Sequence, residues 1–179
     1  LALAILHVVC WGAGPLLHLV PGALALAVAA AASAGLSILA LREEDQSLFN
    51  VGFGGALLAP FVTSSDTGDP VLLLLYGALV LAAGMRAMGD RAWSKTPFVL
   101  GTGVAAYTAA ASGQLGGAEP WVRASAPAIF AIAVSWLSII LVKGKARERV
   151  AITAQLIAVG AIANMLESQA LLPVRQSLA

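Results

Sequence analysis

The residues of this chain that could carry chemistry are few, and most lie in or near one stretch, Asn50 to Pro70. Asp66 and Asp69 stand with Ser64, Ser65 and Thr67 in a short polar loop. Carboxylate and hydroxyl oxygens are the ligands a hard cation prefers. The same loop also reads as a turn with a helix cap. Asp69 directly precedes Pro70, where a carboxylate accepts from the first free N–H groups of a helix, and capping is the stronger expectation. Asn50 opens the apolar part of the stretch, and Gly52, Gly54 and Gly55 follow it. An unwound glycine backbone beside an amide can bind a polar solute in a transporter. Glycines in lipid more often let helices approach closely, and a buried amide more often bonds to another helix.

Further along, Asn164 and Glu167 are three residues apart and share a helix face. An ionisable side chain inside a membrane helix suggests proton or cation coupling. Glu167 lies about 27 Å from Arg149 along a helix rising ~1.5 Å per residue, which puts it at the far interface, in contact with water. His7 and His18 lack a third ligand, so they read as packing or interfacial residues rather than a metal site. The candidate polar site is therefore Asn50, Gly54, Gly55, Asp66, Asp69, Asn164 and Glu167. No catalytic, cofactor-binding or metal-ligating residue is assigned, and no cofactor is expected. Motifs for metalloproteases, serine hydrolases, P-loops and paired cysteines are all missing. This reading leans away from an enzyme; its enzymatic version would use Asp66, Asp69 and Glu119.

The elements that must position these residues follow from composition. The chain is 60% hydrophobic and only 11% charged, against about 25% charged in an ordinary soluble domain. Its apolar residues fall in runs of roughly 16 to 22, the length that crosses a ~30 Å hydrocarbon core. Most runs are apolar all round, as helices in lipid or at a bundle centre are. The net charge of +1 gives no footprint for nucleic acid. Cys10 is the one cysteine, so no internal disulfide can form. Leucine stands first, inside an apolar run, and the chain is expected to be a single domain, 1–179, from a longer protein.

The predicted fold class is all-α: a polytopic transmembrane bundle of about seven helices, near 1–11, 21–41, 47–62, 70–88, 97–111, 122–142 and 150–166. Gly12, Gly14, Pro15 and Pro21 predict a break after the first segment. Ala27, Ala31 and Gly35 form a small-residue stripe expected to pack against a neighbour. The 47–62 segment is the least comfortable as a helix, because of its glycines and because Pro60 lacks an N–H. It either spans or re-enters. Trp11, Trp93 and Trp121 stand near segment ends, as interface anchors do, whereas Trp136 is expected to pack in the bundle or face lipid.

Positive charge gathers in alternate loops. Arg42, then Arg86, Arg91 and Lys95, then Lys143, Lys145, Arg147 and Arg149 fall on one side, against only Arg123 and Arg175 on the other. The positive-inside rule then makes loops 42–47, 89–97 and 143–149 cytoplasmic. Pro21, Pro70 and Pro120 recur about 50 residues apart, each opening a long apolar segment. Gly52 and Gly54 are echoed by Gly101 and Gly103. A repeated two-helix hairpin, short then long, is the simplest account.

The stretch from Gly55 to Pro70 resembles a pattern in a large bacterial family of multi-pass predicted membrane proteins, domain of unknown function 2339. That pattern reads roughly G-G-x-L-A-P-x-x-x-S-[ST]-G-[ST]-G-N-P, followed by a long apolar helix. Gly55, Leu58, Ala59, Pro60, Ser64, Ser65, Gly68 and Pro70 match it; Ala56, Asp66 and Asp69 depart from it. The two aspartates make this loop more acidic than the family's. The resemblance implies a long protein with many membrane helices and implies no activity. Together these readings give an integral protein of the bacterial inner membrane, most simply a structural or assembly domain. Its partners would be the lipid bilayer and further helices of the same or a partner protein. A transporter or permease module for a small solute is the alternative.

Overall fold

The computed structural model describes residues 2–63, 69–89, 91, 93–115, 120–144, 147–160 and 163. Among these residues the chain is helix and turn, without strands. Helix α1 is Ala2–Trp11, and it runs directly into a wider π turn, Gly12–Leu16. The remaining elements are α2 (Gly22–Arg42), α3 (Gln46–Thr63), α4 (Pro70–Met88), α5 (Thr96–Gln114), α6 (Pro120–Leu141) and α7 (147–160).

The break expected at Gly12 comes later. Gly12 and Gly14 lie within the π turn, and the chain leaves helical geometry only near His18, whose φ is +51°. The prolines predicted to open helices do so. Pro21 caps α2, while Pro70 and Pro120 are the first residues of α4 and α6. Gly89 ends α4 at φ +48°, a left-handed conformation that costs glycine little, and its N–H bonds to Met85 O.

Two cores result. A small one joins Cys10 of α1, Ala25 and Ala29 of α2, and Ala59 of α3. A large one joins α3 through α7 and the end of α2, with Ala40, Phe49, Phe53, Leu81, Met85, Leu100, Val104, Tyr107, Val134 and Val150. Helices α2 and α3 take part in both, and among the described residues α5 is the most enclosed helix. Its Leu100, Val104, Tyr107 and Ala111 form one fully buried face at helical spacing.

Helices α2 and α4 are long and apolar enough to cross a membrane; α1 with its π turn, α3 and α6 contribute shorter apolar stretches. Only 22% of the apolar window of α2 and 33% of that of α4 is buried. The core helix of a soluble protein hides its apolar residues, whereas these two turn most of theirs outward. Leu72, Leu75 and Leu79 of α4 are 57% exposed or more. Trp136 of α6 also points outward, and Trp11 is exposed at the end of α1.

The small-residue stripe of α2 is not the one expected. Ala27, Ala31 and Gly35 are exposed, and nothing lies near Gly35. The packed stripe is Ala25, Ala29 and Ser33, with Ser37 a turn further on. Both stripes have four-residue spacing on an alanine-rich helix, so spacing alone could not choose between them. Nor does the short-then-long hairpin appear in helix length, since α3 has 18 residues and α4 has 19.

Candidate functional site

Helix α3 is unbroken through its glycines and through Pro60. The expectation that this stretch is uncomfortable as a helix was wrong in outcome, though its physical premise holds. Proline removes the N–H that would bond to the carbonyl four residues earlier, here Ala56 O. That oxygen accepts instead from the hydroxyl of Tyr76 on α4, at 2.9 Å. The next carbonyl, Leu57 O, accepts from the hydroxyl of Tyr107 on α5, at 2.8 Å. The preceding one, Gly55 O, lies 3.0 Å from Nε2 of His7 on α1. Three successive carbonyls around the proline turn are thus met by polar side chains from three different helices.

Two of these side chains, Tyr107 and His7, are seated by a small residue. The Tyr107 ring lies flat against Gly77 of α4, and the edge of Phe61 meets it with ring centroids 5.0 Å apart. His7 is buried between α1, α2 and α3. A Cβ on Gly55 would come within 3.3 Å of its ring and 2.9 Å of Ser33 Oγ. The other ring nitrogen, Nδ1, is 2.9 Å from Leu3 O on its own helix. A neutral imidazole donates from one nitrogen at a time, so in that form His7 bonds either its own helix or α3.

A second polar cluster closes the opposite end of α3. Thr96 Oγ1 donates to Asn50 Oδ1 at 2.9 Å. The side-chain carbonyl of Gln46, with its amide turned to suit its neighbours, accepts from the backbone N–H groups of Ser94, Lys95 and Thr96 at 3.1, 2.6 and 3.1 Å. Gln46 therefore caps the N-terminus of α5 from another helix. Beside this cluster Trp93 packs on Phe49, with centroids 5.0 Å apart, and the Arg91 guanidinium sits 5.5 Å from the Trp93 ring. Trp93 is thus half-buried against Phe49 just before α5.

Asn50 has the interhelical hydrogen bond that was the stronger expectation for it. Gly54 and Gly55 are neighbours with different surroundings: Gly55 receives His7 and Ser33, while no atom lies within 4 Å of a Cβ built on Gly54. Asp69 is a helix cap, accepting from Val71 N at 2.8 Å. Asp66, Asn164 and Glu167 lie outside the described residues, as do Glu119 and the side chain of Trp121. Asn50 and Asp69 lie beyond opposite ends of the α3 segment 51–63, about 20 Å of helix at ~1.5 Å per residue, so they do not share a site. His7 is buried and His18 exposed, so the two histidines do not share a face.

Among the described residues no three His, Cys, Asp or Glu side chains come together, and every buried side-chain nitrogen or oxygen has a hydrogen-bond partner. The sequence reading missed Tyr76, Tyr107, Gln46 and Thr96. A signal existed for the first two. They are the only tyrosines in the chain, both in apolar segments, where a phenol must find an acceptor. Asp45 was also missed: its carboxylate accepts from Ser47 N and Leu48 N at 2.7 and 3.0 Å and caps α3. Comparison with family models, with curated proteins and with solved structures finds no match for this chain.

Proposed function

We propose that this chain is a multi-pass helical domain of the bacterial inner membrane with a structural role, holding its helices together for assembly with other helices of the same or a partner protein. One observation carries this reading: the polar groups of the glycine–proline segment are taken up by α1, α4 and α5. A solute site would leave some of them facing a cavity. Instead Asn50 is engaged by Thr96, and the open spaces beside α5 have apolar walls. The outward apolar faces of α2 and α4 support the lipid bilayer as the surrounding medium. The resemblance of Gly55–Pro70 to domain of unknown function 2339 belongs to this proposal. The transporter reading needs a polar cavity reached by Asn50, and no feature of the described residues favours it.

The proposed orientation puts loops 42–47, 89–97 and 143–149 in the cytoplasm. Its support is geometric as well as electrostatic. Gln46 meets Lys95, and Arg149 lines a groove together with Pro97, so the three basic connections gather at one end of the bundle. The test is cysteine labelling of the full-length protein in a Cys10→Ser background. Glu44→Cys, Ser94→Cys and Gly144→Cys should react with an impermeant maleimide in inside-out vesicles only, and Thr67→Cys and Gly117→Cys in right-side-out vesicles only. Labelling of the two sets from one side, or release of the protein by alkaline carbonate, refutes the topology or the membrane reading respectively.

A further inference from the structure

Two open grooves flank Phe98 of α5, which stands 69% exposed between them. One, of about 560 Å³, runs between α5 and α7 from Pro97 and Arg149 to Ala105 and Ile157. The other, of about 300 Å³, lies between α5 and α3 along Leu58, Phe61 and Ala106. Phe98 and Thr102 belong to both grooves. The walls ask nothing of a polar ligand. Thr102 Oγ1 donates to Phe98 O at 2.8 Å, and Thr153 Oγ1 to Arg149 O at 2.8 Å, so each hydroxyl is satisfied within its own helix. Among the described residues charge enters at one end, where Arg149 lines the larger groove and Lys95 stands two residues before Pro97. Arg147 and the single carboxylate of Glu148 are exposed in the same stretch.

We infer that this face binds one anionic two-chain phospholipid, and the inference rests on the membrane reading above. One acyl chain lies in each groove, Phe98 separates them, and the headgroup phosphate meets Arg149 and Lys95 at the basic end. Charge complementarity selects the occupant. An acyl chain alone, or an apolar helix, would have no use for a guanidinium at the groove mouth, whereas a basic pocket between membrane helices suits an anionic headgroup. Two neighbouring apolar spaces that share Phe98 and Thr102 match two chains joined at a headgroup better than one rod-like helix. The larger space is within the roughly 300–1,000 Å³ of ordinary ligand sites.

The test uses the full-length protein, first confirmed in the membrane by resistance to carbonate, then held in mild detergent with phosphatidylglycerol or phosphatidylcholine. Retained lipid is read by native mass spectrometry. The wild type should retain phosphatidylglycerol in preference to phosphatidylcholine, and Arg149→Gln should cut that preference about fivefold, the worth of one basic side chain near a lipid surface. Ala105→Leu, at an exposed position, should lower retention of both lipids while leaving the melting temperature without lipid unchanged. Equal retention of the two lipids, or a preference unmoved by Arg149→Gln, overturns the site while the membrane reading stands. Release by carbonate overturns both. A photo-reactive side chain at position 105 that crosslinks to polypeptide rather than lipid also overturns it.

Discussion

The two sides of α3 are held by opposite means. Toward α2 the contact is backbone to backbone. A Cβ on Gly52 would meet Ser37 N at 2.8 Å and Ser33 O at 3.0 Å, and the facing residues are alanine and serine. Toward α4 and α5 the contact is made by rings. Phe49 stacks on Phe53 with centroids 5.6 Å apart, Phe53 lies against Gly84, and Tyr107 lies against Gly77. The difference shows two solutions to one problem. On the membrane reading proposed above, lipid gives the helices no hydrophobic reason to associate, so packing and interhelical hydrogen bonds must hold them. One side gains contact by bringing two thin helices close. The other fills a wider gap with aromatic volume and ties it down with a phenol at each of two carbonyls.

That contrast can be broken in graded ways, each read as unfolding free energy of the full-length protein in bicelles. Tyr107→Ala should do most damage, about 3 to 5 kcal/mol, because it empties the centre of the large core. Gly52→Ala follows at about 1 to 3 kcal/mol. The new methyl meets backbone of α2, which cannot rotate away, so a neutral result would show that the two backbones are not in contact. Tyr76→Phe keeps the ring and removes one hydroxyl. It should cost about 1 kcal/mol, since Ala56 O then has neither Pro60 nor tyrosine as donor. Gly54→Ala and Gly35→Ala should be neutral or stabilising by up to about 1 kcal/mol, because both positions are open helix interior where glycine is the poorer residue. If Gly54→Ala destabilised as much as Gly52→Ala, the two-sided account of α3 would fail.

Much of the fold was legible from residue type. Pro21, Pro70 and Pro120 gave the helix starts, Asp69 its cap, and the alternation of basic and neutral loops the end at which the basic connections meet. The site was legible only in outline. Asn50 was correctly expected to bond another helix, but its partner Thr96 lies 46 residues away, and no local pattern names it. Pro60 signalled a missing donor without saying what would replace it. The stripe on α2 was misplaced because Ala27–Ala31–Gly35 and Ala25–Ala29–Ser33 obey the same spacing, and which one packs depends on where α3 lies.

By itself the sequence determined that this chain is helical, that Pro21, Pro70 and Pro120 open helices, which connections carry positive charge, and that α2 and α4 are apolar over the length of a bilayer. These are local properties: propensity, punctuation and hydropathy are set by neighbours in the chain. Only the tertiary structure decided that the glycine–proline segment is an intact helix rather than a broken one. The donor that replaces the one Pro60 lacks is the Tyr76 hydroxyl, 20 residues from Ala56 O, and the next carbonyl, Leu57 O, is met by Tyr107 from 50 residues away. A proline's missing hydrogen bond is a local fact, but its replacement is not.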